Sequence, residues 1–272
     1  MIKIVAVDLD GTLLDSKKQI TTPTKQAINA CIEKGIHFAF ATGRIANELG
    51  NVRQQLPDVR YAITCNGAFV TDLKEKKLLS ENTLGMEDVR RIYQLFQDED
   101  MMFELFADGK VLTDAGCMQH PQDYCSKSLY QLVCQTRTGI ENFSDYLKKR
   151  QRPVGKVNIF FRSAKIRDAA FEKVKTLPFA VTLQEETNLE FNKLGVDKGT
   201  GLQMLADYFA VDMREVMAIG DNNNDLAMLQ TAGVSVAMEN GREAVKKAAD
   251  FITKSNDQDG VAFALLKFVF EK

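Results

Sequence analysis

Apolar positions along this chain follow two rhythms. Ile2, Ile4, Val5, Ala6 and Val7 form a nearly continuous apolar run broken only by Lys3, as expected of a strand buried on both faces of a parallel sheet. Helical spacing follows. Thr22-Pro23 reads as an N-cap with proline at the first helical position, Ala27, Ile28, Cys31 and Ile32 give one apolar face, and Gly35 ends the helix. Residues 36–41 predict a second strand, so the β-α-β unit should lay it parallel to the first. A helical segment runs on to Leu56-Pro57. Residues 61–65 predict a third strand stopped by Asn66-Gly67, and residues 69–79 a hairpin around Lys74-Glu75-Lys76-Lys77.

The character changes near residue 83. Residues 86–97 form an amphipathic pattern through Val89, Ile92, Leu95 and Phe96. Residues 102–106 predict a strand that turns at Asp108-Gly109 into Val111-Leu112-Thr113. Residues 116–152 carry no clean period and are expected to be helices with loops. Strands are predicted over 157–161, 180–184 and 189–191, and a helix over 165–176. This stretch lacks a parallel strand ending in aspartate and reads as an α+β insertion. The first rhythm returns at Gly195: a helix over 198–209, a buried strand over 216–219, a helix over 226–232, a strand over 234–237, a helix over 243–249, a short strand at Phe251-Ile252 and a closing helix over 261–270. The expected domains are residues 1–82 with 196–272, and 83–195.

Composition narrows the classes. The chain has 272 residues, 45% hydrophobic and 26% charged, with a net charge of −2, ordinary for a soluble globular protein of one or two domains. Without a basic block, nucleic acid is not the expected partner. The apolar runs are far short of a membrane span, and Lys3 followed by a short strand and acids is not a signal-peptide layout. The cysteines (Cys31, Cys65, Cys117, Cys125, Cys134) lack C-x-x-C spacing and suit free thiols in a reducing cytoplasm. The two histidines, His37 and His120, are a poor inventory for imidazole acid–base chemistry. His37 lies inside an apolar strand and reads as structural.

The chemistry gathers at predicted strand ends. Asp8 and Asp10, two residues apart, point to one side of an extended segment, and Gly11 lets the chain turn away. Open α/β sheets bind ligands outside the carboxyl ends of their strands. The two acids must share a proton or a cation; taken alone, they could also be an aspartate-rich turn. Thr42-Gly43 ends the second strand, Asp221 through Asp225 follows the strand over 216–219, and Lys198 opens a helix. Carboxylates without histidine or thiolate suit Mg²⁺. Thr42 and Gly43 offer a hydroxyl and backbone N–H groups for phosphate oxygens. Lys198, in isolation an ordinary solvated lysine, can supply a compact positive charge. A phosphate monoester repels a carboxylate nucleophile by about 4 kcal/mol per pair of unit charges at ~4 Å and an effective dielectric of about 20. Cation and lysine together cancel that repulsion. A carboxylate can then form an aspartyl-phosphate, with a neighbouring acid protonating the leaving alkoxide and activating water. Arg44 fits substrate binding or a structural ion pair equally.

These segments together resemble the haloacid dehalogenase superfamily phosphatases of the Cof-type branch. Asp8-Leu9-Asp10-Gly11-Thr12, Thr42-Gly43-Arg44, Lys198 within Val196-Asp197-Lys198-Gly199, and Gly220-Asp221-Asn222-Asn223-Asn224-Asp225 match its four motifs in order. Asn66-Gly67-Ala68 and residues 255–262 also resemble that branch. The resemblance implies a Rossmann-like parallel-sheet α/β core with an inserted α+β cap that selects the substrate. It implies Asp8 as nucleophile, Asp10 as general acid/base, and Mg²⁺ held by Asp8, the Asp10 carbonyl, Asp221 and Asp225. Leu9, Thr42, Gly43, Lys198 and Asn224 would bind phosphate, and Arg44, Asn66 and Asn192 are candidates for the rest of the substrate. Residues 190–194 (Glu-Phe-Asn-Lys-Leu) depart from the branch's usual pattern, which bears on substrate choice. The implied reaction is Mg²⁺-dependent hydrolysis of a small phosphate ester, most simply a sugar phosphate. A phosphosugar mutase and a non-catalytic phosphate-ligand sensor are the alternatives; the intact Asp8/Asp10 pair argues against the sensor.

Overall fold

In the computed structural model, which describes residues 1–183 and 185–271 apart from the side chain of Ser128, the N-terminal apolar run forms the strand β1 (Ile4–Val7). Helix α1 (Thr22–Glu33) and strand β2 (His37–Ala41) follow. The cap of α1 is Thr21, not Thr22: its hydroxyl accepts the Thr24 N–H, which places Pro23 one position deeper in the first turn. A 3-10 turn (Ala46–Leu49) and the short α2 (Gly50–Gln55) lead to β3 (Tyr61–Thr64), then the hairpin β4 (Phe69–Asp72) and β5 (Lys77–Glu81).

The middle of the chain supplies α3 (Met86–Phe96), β6 (Met101–Ala107), β7 (Lys110–Asp114), α4 (Lys127–Thr136), β8 (Arg137–Ile140), α5 (Phe143–Lys149), β9 (Lys156–Phe161), α6 (Ala164–Val174), β10 (Phe179–Thr182) and β11 (Asn188–Lys193). The strand expected over 180–184 ends at Thr182, and Gln184 lies outside the described residues. The stretch expected to hold only helices and loops contains β8. Its Arg-Thr-Gly-Ile has no alternating apolar pattern, because it is an edge strand paired only to β7. The C-terminal part runs α7 (Lys198–Tyr208), β12 (Val216–Gly220), α8 (Leu226–Thr231), β13 (Val234–Ala237), α9 (Glu243–Ala248), β14 (Phe251–Ile252) and α10 (Gly260–Leu265). The closing helix is α only to Leu265; residues 266–270 continue as a π-turn.

By contacts the chain divides into two compact units. The first, Met1–Arg44, Leu49–Glu81 and Val196–Lys272, carries an eight-stranded sheet in the order β14-β13-β12-β1-β2-β3-β4-β5. It is parallel from β14 to β3, as the β-α-β reading requires, and antiparallel through β4 and β5. Both faces are covered. Val5, Val7, Phe38, Phe40, Met217 and Ile219 pack with Ile28 of α1 and Leu265 of α10. Ile4, Ala6, Ala39, Val216 and Ala218 pack with Leu202 and Leu205 of α7 and Met228 of α8. Burial on both faces is why these strands read as apolar runs. The second unit, Ile45–Glu48 with Asn82–Gly195, carries a six-stranded sheet in the order β10-β11-β9-β6-β7-β8. Phe103, Leu105, Val157, Ile159, Leu189 and Phe191 on one face pack with α3, α5 and α6. The other face carries Glu104, Lys156, Asn158 and Glu190, all buried.

His37 is structural, as expected. Its ring stacks on Phe209 at 3.7 Å and 11°, with Tyr61 edge-on at 5.6 Å. Burial, and secondarily the nearby Arg60 charge, hold its pKa below the ordinary value. A histidine held neutral in the fold but protonated more readily when unfolded makes stability rise with pH. That contribution is complete above the unfolded pKa of about 6.5 and fades as pH falls below it. His37→Phe should keep the stack and flatten the fall in Tm between about pH 7 and pH 5 relative to the parent. Parallel Tm curves for parent and variant would show that His37 does not contribute.

Candidate active site

Three loops and one helix start converge at the carboxyl edge of the first unit's sheet. β1 and β12 are parallel neighbours with Val7 opposite Ile219, and the Asp8 N–H donates to the Ile219 carbonyl at 3.0 Å. β2 flanks β1 on the other side with Val7 opposite Phe40. Asp8, Thr42 and Asp221 therefore leave adjacent strands at one edge. Gly11, at φ +88°, turns the chain beneath Asp221: a Cβ there would stand 2.6 Å from Asp221 Oδ2. The turn is also held by Asn240, whose Nδ2 donates to the Gly11 carbonyl at 2.8 Å.

Lys198 opens α7, whose Asp197 cap and Thr200 form a reciprocal capping box. Gly67, at φ +103°, lets the end of β3 lie against this helix start; a Cβ there would stand 2.0 Å from the Asp197 carbonyl. Lys198 has no solvent exposure. Its Nζ donates to Asp8 Oδ1 at 2.5 Å and to Asp225 Oδ1 at 2.6 Å. The other Asp225 oxygen accepts the N–H groups of Asp221 and Asn222, both at 2.9 Å. One buried carboxylate thus fixes both the lysine and the loop that carries Asp221. Thr12, whose role the sequence reading overlooked, donates from Oγ1 to Asp221 Oδ1 at 2.7 Å. Its place two residues after Asp10 was the available signal.

The carboxylates of Asp8, Asp221 and Asp225 each offer an oxygen within 4.8 Å of the others. Among the described residues one ammonium bonds to this group, which sets three carboxylates against one positive charge; the difference is the charge of one divalent cation. The consequence is visible at Asp8. Burial pushes its carboxyl well above the ordinary value, the Lys198 charge opposes this, and Asp225 and Asp221 add to it. Burial also raises Asp221, offset in part by the Thr12 hydroxyl. An all-oxygen donor set short of positive charge fits a hard cation such as Mg²⁺.

Asp10 lies apart from that cluster. Arg44 grips it from Nε to Oδ2 at 2.9 Å and from Nη2 to Oδ1 at 2.7 Å, and Lys18 adds a bond at 2.9 Å. Burial would raise its pKa, but Arg44 and then Lys18 outweigh it and hold the carboxyl below the ordinary value. Of its two readings, Arg44 is here an ion pair. Thr42 is buried, and its Oγ1 accepts the Arg44 N–H at 3.1 Å. Gly43 is partly exposed beside it, and the Leu9 side chain is in the core, so Leu9 offers only backbone to a ligand. Asn66, in the left-handed region at φ 55°, accepts from Asn224 Nδ2 at 3.4 Å, which brings two of the candidates together. Asn192 is in the second unit, buried in β11, and donates to the Gly155 carbonyl at 3.2 Å. Asn256 and Asp257 brace the loop after β1 through the Leu14 carbonyl and the Ser16 N–H.

With this geometry in view, the comparisons are specific. Residues 5–265 match the model of the haloacid dehalogenase-like hydrolase family. The 5-amino-6-(5-phospho-D-ribitylamino)uracil phosphatase YcsE of Bacillus subtilis (strain 168) is 28% identical over 98% of this chain and 96% of its own length. Phosphatase YwpJ of the same organism is 28% identical over 96% of this chain and 97% of its own. The crystal structure of a haloacid dehalogenase-like hydrolase from Bacteroides thetaiotaomicron superposes with a TM-score of 0.85 at 29% identity, covering 98% of this chain and 99% of that one. The chain belongs to the haloacid dehalogenase-like hydrolases. Within that family it is a phosphatase.

Lys198→Met tests the charge balance. Removing the ammonium leaves Asp8 and Asp225 buried without a counter-charge, a loss of about 3–5 kcal/mol. Urea unfolding in a chelating buffer should show that loss, and a change under about 1 kcal/mol would mean the cluster is hydrated rather than dry.

Proposed function

We propose that this phosphatase hydrolyses small phosphate monoesters of sugars or sugar alcohols through an aspartyl-phosphate, with Mg²⁺ as cofactor. The observation that carries the reading is the trio Asp8, Asp221 and Asp225, with buried Lys198 between buried Asp8 and Asp225 and Asp221 half-buried beside them. The name of the relative YcsE, which specifies a phosphorylated ribityl compound, supports the substrate class. Asp8, Asp221, Asp225 and the Asp10 carbonyl would hold the ion. Bound there, Mg²⁺ would neutralise phosphoryl oxygens and complete the charge balance of the trio.

Asp8 Oδ attacks phosphorus and the ester P–O bond breaks. Lys198, Thr42, the backbone at Leu9 and Gly43, and Asn224 receive the phosphoryl oxygens. The leaving alkoxide takes a proton from Asp10. Water then gives its proton to Asp10 as it attacks phosphorus, and the bond to Asp8 breaks, releasing inorganic phosphate. Two carboxylates two residues apart have opposite surroundings, which divides their roles. As held by Arg44 and Lys18, Asp10 is ready as the base. For the acid step the grip must loosen, and a substrate phosphate gives Arg44 another anion to bind. The second unit, as the inserted cap, would select the ester's organic part. Free thiols at all five cysteines support a cytoplasmic setting, and no described helix is long and apolar enough to cross a membrane.

The test is turnover of an aryl phosphate and of a panel of sugar and sugar-alcohol phosphates with Mg²⁺. Activity should vanish with a chelator, and Asp8→Asn should lower kcat on the order of 10⁴-fold or more while leaving Tm near the parent's. Full activity in the chelator, or an Asp8→Asn enzyme that still turns over, would sink the proposal.

A further inference from the structure

A dry ion triad is built from Glu48, Glu104 and Arg137, whose side chains are 2%, 0% and 4% exposed. Arg137, the first residue of β8, donates from Nε to Glu104 Oε1 at 2.7 Å and from Nη2 to Glu104 Oε2 at 3.2 Å. Its Nη1 reaches Glu48 Oε1 at 2.5 Å. Two buried carboxylates share one guanidinium. Buried ion groups of this kind are commonly no more stable than packed apolar residues of the same volume, so stability is a weak reason for the triad.

Its location gives a better one. Glu48 is four residues after Arg44. Glu48 Oε2 accepts the Ile45 N–H at 3.0 Å, and the Glu48 N–H donates to the Ile45 carbonyl at 3.0 Å. The carboxylate therefore closes the turn that begins where Arg44 ends. Arg44 is pinned from its other side by the Thr42 hydroxyl and by the Cys65 N–H, which donates to the Arg44 carbonyl at 3.0 Å. From there its guanidinium makes the two bonds to Asp10. An unbroken series runs from Arg137 to Glu48, to the Ile45 amide, through one peptide bond to Arg44, and on to the Asp10 carboxylate.

We propose that Arg137 and Glu48 are positioning residues for the Arg44–Asp10 pair, holding the acid/base carboxylate in line with the leaving oxygen. The inference rests on the acid/base role given above to Asp10. Arginine suits the task because its planar fork is fixed by Glu104 on one edge while the remaining nitrogen sets Glu48. A displacement of about 1 Å at a reacting group can cost on the order of 10²-fold in rate, so a set arm matters even though neither residue touches substrate.

The experiment compares kcat/KM for glycerol phosphate, whose alkoxide must be protonated, with that for p-nitrophenyl phosphate, whose phenolate leaves unaided. The readout is the alkyl-to-aryl ratio in the full-length enzyme with Mg²⁺, a quantity that general loosening would not move. Asp10→Asn should lower the ratio on the order of 10²-fold. Glu48→Gln and Arg137→Lys should each lower it about 10-fold, because the amide offers one accepting oxygen where Arg137 and Ile45 use two, and a lysine's single nitrogen cannot reproduce the fork that places two N–H groups on Glu104 and a third on Glu48. Glu104→Gln still offers an oxygen to Arg137 Nε, so the guanidinium stays fixed and keeps its bond to Glu48, and the ratio should stay within about 2-fold of the parent's. If Arg137→Lys does not fold, Glu48→Gln decides, since it leaves Arg137 paired with Glu104. Equal losses on both esters in Glu48→Gln, or an equal shift of the ratio in Glu104→Gln, would overturn the proposal while leaving the acid role of Asp10 in place. An unchanged ratio in Asp10→Asn itself would overturn that role, and the proposal with it.

Discussion

The Nζ of Lys198, held without solvent between Asp8 and Asp225, is the interaction on which the rest of the site depends. An ammonium removed from water loses several kcal/mol of hydration. Only close carboxylates with good geometry return it. The fold provides that geometry by adjacency: β1 and β12 are parallel neighbours, so their ends deliver Asp8 and the Asp221–Asp225 loop side by side, and α7 brings the lysine in at its first turn. Asp225 spends its remaining oxygen on two backbone N–H groups of the loop. Lys198, Asp8 and Asp225 are thereby locked together before any ligand arrives, which is the preorganisation that the proposed phosphoryl transfer demands.

The same arrangement explains the charge economy of the edge. Around Asp8 burial first, and then negative charge in excess of positive, push the carboxyls upward. Around Asp10 the reverse holds, with two cations on one carboxylate. Two residues of sequence separate these environments. Alternation along an extended chain ought to give both acids the same surroundings, but β1 ends at Val7 and the chain turns at Leu9, so Asp10 has already left the strand direction that Asp8 follows.

Much of this could be read from the chain. Strands buried on both faces announce themselves as apolar runs, and the motifs at their ends fall at spacings that a parallel sheet turns into neighbours. The match to the haloacid dehalogenase-like hydrolases followed from those residues, and the parallel pairing of β1 and β2 from the connecting helix. What escaped reading shares a physical cause. β8 is an edge strand whose Thr and Gly have no apolar face to show. Thr12, Asn240 and the Glu48–Arg137 link act through hydrogen bonds between residues tens to hundreds of positions apart, and such bonds leave no period. The Thr21 cap was missed because two adjacent threonines offer the same hydroxyl, and only the Thr24 N–H chooses between them. The ion pair of Arg44 with Asp10 likewise depends on where β2 ends relative to the Gly11 turn.

The central claim is that the carboxylate beside Lys198 attacks phosphorus itself. Trapping the intermediate addresses it directly: Asp10→Asn enzyme, which lacks the base for dephosphorylation, is mixed with p-nitrophenyl phosphate and Mg²⁺, quenched in acid and treated with borohydride, and the peptide that contains Asp8 is analysed by mass spectrometry. Borohydride reduces an acyl phosphate to the alcohol and leaves a free carboxylate untouched, so a phosphorylated aspartate is marked where it formed. The account predicts reduction confined to the Asp8 side chain, rising with the release of p-nitrophenol. Release of p-nitrophenol with the Asp8 peptide unreduced would contradict it and assign the attack to water.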